Sequence, residues 1–180
     1  MRKTVTMLLS MALLSGCGAY RWTSPVPSDM RTVAVPTFRN ETDVVELGAV
    51  ATRQTLREFQ REGTFRIAPR EDAALELQAV LKAAPSGLLG YKRFQSMRAY
   101  ELRFSLVAEV TLVDRRSGKV LFDARPYKAE TSFLSDTDVV TARRDAAGRL
   151  AEDLARQIVD DVAGFGWGRA GEGGKSKGKE

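Results

Sequence analysis

From Tyr100 to Val113 apolar and polar positions alternate. Tyr100, Leu102, Phe104, Leu106, Ala108, Val110 and Leu112 fall on one side, with Glu101, Arg103, Ser105, Glu109 and Thr111 mainly on the other. A period of two is the pattern of a strand buried on one face. The run DRRSGK, Asp114 to Lys119, predicts a hairpin turn into a further strand from Val120 to about Thr131. Upstream, Leu75, Leu77, Ala79 and Leu81 alternate in the same way and predict another strand. Thr32 to Phe38 (TVAVPTF) reads as the first. Pro36 within it has no N–H for a ladder, which favours a sheet edge or a strand end. Pro85-Ser86-Gly87 opens a loop expected to reach about Met97.

Two segments switch to a period of 3.6. Between about Val45 and Arg61, Gly48, Ala51, Thr52, Thr55, Leu56 and Phe59 form one face, and Arg53, Gln54, Arg57, Glu58 and Arg61 form the other. Gly63 is placed to stop that helix. From about Val139 to Ala163 a second helix would bury Ala147, Leu150, Ala151, Leu154, Ala155, Ile158 and Val162, capped by Ser135, Asp136 or Asp138. The order β-α-β-β-β-α predicts an α+β fold, two helices packed on one mostly antiparallel four-stranded sheet.

The amino-terminal pattern is different again. Arg2 and Lys3 precede an apolar run from Val5 to Leu14, broken only by Thr6 and Ser10. That is the layout of a secretory signal, and the run is shorter than the roughly 20 residues that span a bilayer. Leu14-Ser15-Gly16-Cys17 matches a bacterial lipobox, in which the cysteine is acylated and becomes the new amino terminus. Residues 1–16 are therefore expected to be the signal, and 17–31 the lipidated terminus and tether (TSPVPSD at Thr23–Asp29). Residues 32–163 should form the domain, and 164–180 a flexible Gly/Lys-rich tail. Cys17 is the only cysteine, so no internal disulfide is available and the domain stands on its hydrophobic core.

The net charge of +5 concentrates at the two ends of the chain. Arg2 and Lys3 leave with the signal, and the tail carries Arg169, Lys175, Lys177 and Lys179 against Glu172 and Glu180. The body between is close to neutral, which excludes a broad phosphate-binding face for nucleic acid. Histidine is absent, which removes the commonest metal ligand and general base. Gly166-Trp167-Gly168-Arg169-Ala170-Gly171 fits G-x-G-x-x-G, but it follows a helix and precedes the tail, so the dinucleotide context is missing. Ser176 to Lys179 fits S-x-x-K in the same tail and fails for the same reason. Glu41 with Asp43, and Asp136 with Asp138, are better read as loop solvation and helix capping than as acid/base pairs or cation ligands. The chain is not expected to be an enzyme or to hold a cofactor or metal.

Taken together, the lipobox followed by Tyr20, then TVAVPTFRNET, an amphipathic helix, a loop, the YELRFSLVAEVTLVDRRSGKVLF hairpin and a final LAEDLARQIVDDV helix resemble the lipopolysaccharide-assembly lipoprotein family, LptE. The resemblance covers nearly all of residues 14–163 and rests on the order of elements. It implies an outer-membrane lipoprotein, anchored on the periplasmic face, that sits in the lumen of the LptD β-barrel, binds lipopolysaccharide and assists its insertion. It implies no catalysis and no cofactor.

Lipopolysaccharide presents phosphates beside acyl chains, so a receptor for it offers Arg or Lys next to apolar surface. Leu88 to Arg98 (LLGYKRFQSMR) interleaves Lys92, Arg93 and Arg98 with Tyr91, Phe94 and Met97. The resemblance implies a basic residue just before the long strand. Arg93 matches it, Lys92 is the near alternative, and a solvated loop is the plain reading. Arg115, Arg116 and Lys119 read as turn chemistry. A rival function belongs to a protein-binding class: small α+β lipoproteins that dock on a peptidoglycan synthase or build a secretion channel, whose opening strand TVAVPTFRN also resembles.

Overall fold

The computed structural model describes residues 26–84, 88–94, 97–135 and 139–167, with the backbone alone described for 83–84, 88–94, 97–101, 133–135 and 139–140. Its spine is the long alternating segment. The elements are β1 Thr32–Ala34, β2 Arg39–Asn40, α1 Leu47–Glu62, β3 Arg66–Ile67, β4 Leu75–Ala84, β5 Leu88–Phe94, β6 Met97–Asp114, β7 Val120–Ser135 and α2 Val139–Gly164. β6 pairs antiparallel with β7 along one edge. Along the other it takes β4 over Ser105–Asp114 and then β5 over Met97–Leu102. The short β1 and β2 lie parallel to β4, and β3 lies parallel to β1.

The fold is α+β with two helices on a mixed, mostly antiparallel sheet. The sheet has seven strands where four were expected. β2 and β3 have two residues each, too few to show a period. β5 falls in the stretch expected as loop after Pro85-Ser86-Gly87, and Gly90, Lys92 and Arg93 give it no clear alternation, yet β6 supplies a backbone ladder that needs no particular side chain. The first expected strand breaks at Pro36: β1 ends at Ala34 and β2 resumes at Arg39. The proline thus follows a strand end.

One face of the sheet carries both helices. Leu75, Leu77, Ala79 and Leu81 of β4 and Phe104 to Leu112 at even positions of β6 are buried. They join Ala51 and Phe59 of α1 and Ala147, Leu150, Leu154, Ile158 and Val162 of α2 in one core. β7 enters the same core out of phase: Phe122 is inward, and then Tyr127 and Ala129. The extra residue sits at a bulge opposite Thr111, where Ala124 takes φ 44° and the pairing shifts register. On the opposite face, Lys82 reaches Glu109 at 2.7 Å and Ser105 donates to Glu130 at 3.1 Å.

Two glycines fix α1. Gly63 ends it in the left-handed region at φ 82°, its N–H donating to the Phe59 carbonyl at 3.1 Å. Gly48 lets the first turn press against the β1–β2 segment, since a Cβ there would stand 2.4 Å from the Phe38 carbonyl oxygen. Thr52 completes that junction, accepting the Phe38 N–H at 2.9 Å and donating to the Gly48 carbonyl at 2.7 Å.

The packed body is longer than expected at both ends. Val26, placed in a tether by its Pro/Ser-rich context, is 1% exposed within the core, and Arg31 Nε donates to its carbonyl at 3.0 Å. Trp167, placed in a flexible tail, is 3% exposed, with Nε1–H donating to the Val162 carbonyl at 3.0 Å and its ring against Phe65 and Phe165. Apolar side chains with a cavity to fill override a polar neighbourhood in sequence. The expected signal and the candidate lipidation site Cys17 lie outside the described residues, as do Arg169 to Glu180 and the candidate caps Asp136 and Asp138.

Candidate functional site

β6 outruns β4. Beyond the last pair, Ala84 with Ser105, its remaining length is held by β5 on one side and by β7 as far as Tyr100 on the other. This three-stranded extension carries the candidate ligand residues. Across the β5–β6 ladder Leu88 stands opposite Leu102, Tyr91 opposite Tyr100, Lys92 opposite Ala99, Arg93 opposite Arg98 and Phe94 opposite Met97. Leu102 in turn faces Phe133 of β7.

Alternation sorts these register positions. The Arg93–Arg98 and Tyr91–Tyr100 pairs fall at alternate rungs of the ladder, with Lys92–Ala99 between them. The three cations expected together in one loop thus sit on a ladder: two arginines directly opposed, and one lysine at the adjacent rung. Directly opposed positions of an antiparallel pair bring Cβ atoms to about 5 Å, where like charges repel.

The base of the extension is clamped by Arg143, which the sequence did not single out, and by Asp43, which it read only as loop solvation. Arg143 of α2 donates from both terminal nitrogens to the carboxylate of Asp43, at 2.6 and 2.8 Å. The same guanidinium lies 4.9 Å from the centroid of the Phe104 ring, where β6 passes from the helix-covered core into the extension. The loop that brings Asp43 there is shaped by Asn40, whose Oδ1 accepts from the Thr42 N–H and hydroxyl while Nδ2 donates to the Val44 carbonyl. Asp43 and Arg143 are far apart in the chain, so no local pattern announces them.

The remaining charged clusters are structural. Glu41 pairs with Arg39 and Asp43 with Arg143, so the two carboxylates do not form an acid/base pair. At the far end of β6, Arg115 approaches Glu76 at 3.4 Å and Arg116 reaches Asp29 at 2.6 Å. Burial works against the charge on Glu76, but hydrogen bonds from Gln78 and Arg70 and the charges of Arg70 and Arg115 outweigh it and hold its carboxyl below the usual range. Asp114 is buried too and is likewise held low, by hydrogen bonds from the Ser117 hydroxyl and the Arg116 and Ser117 backbone. Asp161 of α2 receives both the Tyr127 hydroxyl and Arg125 at 2.5 Å, and burial together with that carboxylate pushes the Tyr127 phenol up. Among the described residues no cluster of His, Cys, Asp or Glu has the makings of a metal site, and no helix is long and apolar enough to cross a membrane.

Comparison with known proteins settles the family. A model of the lipopolysaccharide-assembly family LptE matches residues 30–162, the packed domain from the 3-10 turn before β1 nearly to the end of α2. The chain belongs to the LptE family. Its fold is similar to that of an uncharacterized lipoprotein B from Nitrosomonas europaea solved by NMR, with TM-score 0.53 and 13% identity over 87% of this chain and 97% of that one. A neuraminyllactose-binding hemagglutinin homolog from Helicobacter pylori gives TM-score 0.53 and 13% identity over 83% and 92%. A minor lipoprotein from Acinetobacter baumannii gives 0.46 and 18% over 74% and 91%. At such identities these likenesses concern the fold alone. No curated protein matches the sequence. For an LptE-family chain the extension at β5–β6, with its opposed arginines, is the candidate ligand surface.

Proposed function

We propose that this chain is an outer-membrane lipoprotein, anchored through an acylated Cys17 on the periplasmic face, that binds lipopolysaccharide and assists its assembly into the outer leaflet as the lumenal partner of an LptD-type β-barrel. The family match across residues 30–162 carries this reading. The opposed Arg93 and Arg98 register positions add the chemistry: paired guanidinium groups suit a phosphate, and the adjoining Leu88, Leu102, Tyr91 and Tyr100 positions suit acyl chains. Lys92 is the subsidiary cation. The role is one of binding and placement, without catalysis or cofactor.

The ligand half is tested by binding purified lipopolysaccharide to the full chain. Arg93→Glu with Arg98→Glu should weaken binding at least roughly tenfold, two lost charge-assisted contacts being worth about 1.5–3 kcal/mol each before discount for exposure. Arg144→Glu with Arg149→Glu, on the exposed side of α2, makes the same change in net charge and should leave binding near the parent. Arg115 and Arg116 are unsuitable controls because they hold Glu76 and Asp29. Equal loss from both doubles, with unchanged thermal melts, rejects the hairpin as the site. The anchor is tested separately: Cys17→Ser should abolish incorporation of labelled fatty acid and release the chain from the outer-membrane fraction.

A further inference from the structure

The outward face of α1 is built from cations and amides. Arg53, Arg57, Gln60 and Arg61 are exposed along it and Gln54 flanks them. The arginines stand at i, i+4 and i+8, a straight row about 12 Å long on an α-helix. The carboxylates of this helix are otherwise engaged. Glu58 is tucked down with its side chain 12% exposed and holds Arg61 at 2.5 Å. Glu62 accepts the Thr64 N–H and hydroxyl at 2.9 and 2.6 Å. Among the described residues Arg53 and Arg57 have no ion-pair partner. On the neighbouring α2 the exposed Arg144 and Arg149 stand among acids: Arg156 meets Glu152 and Asp153 at 3.3 and 3.7 Å, and Asp145 and Asp160 are exposed as well.

Like charges at i, i+4 cost a helix a few tenths of a kcal/mol, and a facing anionic surface reverses that sign. A bilayer is a poor match. Surface helices insert an apolar face, and the apolar face of α1 is already buried in its own core. Electrostatic attachment to lipid takes clusters of about 4–8 cations, more than this row offers. Arginine flanked by amides, in contrast, is the composition of a polar protein interface. We propose that the Arg53–Arg57–Arg61 row is the face by which this domain docks on a carboxylate-bearing surface of its barrel partner. The proposal rests on the barrel partnership above and adds the face and the charge of the contact.

The test is co-purification of the full chain with the barrel from detergent-solubilised outer membranes. Arg53→Glu with Arg57→Glu sets like charges against an acidic wall and should cut capture at least roughly tenfold. Arg144→Glu with Arg149→Glu, of equal net charge, should be captured as the parent is, and circular-dichroism melts of both should match the parent. If the parent itself captures no barrel, the partnership fails and this docking face fails with it. If the parent and both doubles are captured alike, the docking face is overturned and the partnership stands. Vesicles of phosphatidylglycerol mixed with phosphatidylcholine provide the second arm. Binding to them that depends on Arg53 and Arg57, with barrel capture unimpaired, overturns the proposal in favour of a membrane surface.

Discussion

Arg143 grips Asp43 through both terminal guanidinium nitrogens, joining the first turns of α2 to the loop that leads into α1. The bond lies on the surface, with the Asp43 side chain 61% exposed, so its Coulomb energy is largely screened. Its second function is geometric, because the same guanidinium covers Phe104. Arg143→Ala should therefore cost only about 1 kcal/mol in urea unfolding, and Arg143→Lys, which keeps charge but loses the fork, should recover part of that. A loss above about 3 kcal/mol would mean that the clamp holds the core itself.

Gly48→Ala separates local propensity from packing. In an isolated helix the change is favourable by about 1 kcal/mol. Here the added methyl would meet a backbone carbonyl, Phe38 O, at 2.4 Å, and that oxygen belongs to a segment pinned by Thr52. Overpacking of this kind costs about 1–3 kcal/mol. The variant should melt below the parent, and an unchanged or higher melting temperature would show that the β1–β2 segment yields.

Glu76 sets part of the acid limb. Its folded pKa is depressed, so the stability it contributes is present above the unfolded value of about 4.3 and is lost as pH falls through the folded value. Glu76→Gln should be less stable than the parent near neutrality, because Arg70 and Arg115 lose their partner. The difference should shrink below about pH 4. Urea midpoints at the two pH values measure it, and a gap that stays constant would remove Glu76 from the acid response.

The chain's own pattern determined both helices, the phase of β4 and β6, and the turn at Asp114–Lys119, because each depends on periodicity or turn chemistry within a few residues. α1 was expected at Val45–Arg61 and runs Leu47–Glu62, and every α2 residue expected inside is buried. What the sequence did not contain was anything requiring a distant partner. β5 is a strand because β6 is beside it. The phase change in β7 follows from a bulge that exists only against Thr111. Val26 and Trp167 are buried because the core offers them a cavity, in spite of the prolines and glycines around them.

The candidate site divides along the same line. Composition alone put Lys92, Arg93 and Arg98 in one basic, aromatic stretch. Only the ladder set Arg93 opposite Arg98 and Lys92 opposite Ala99, since partners in an antiparallel pair are fixed by register and not by distance along the chain. The Asp43–Arg143 clamp has no trace in local sequence at all. Local order is written in short-range periodicity, whereas tertiary pairing joins residues that carry no mark of each other until the sheet and helices bring them together.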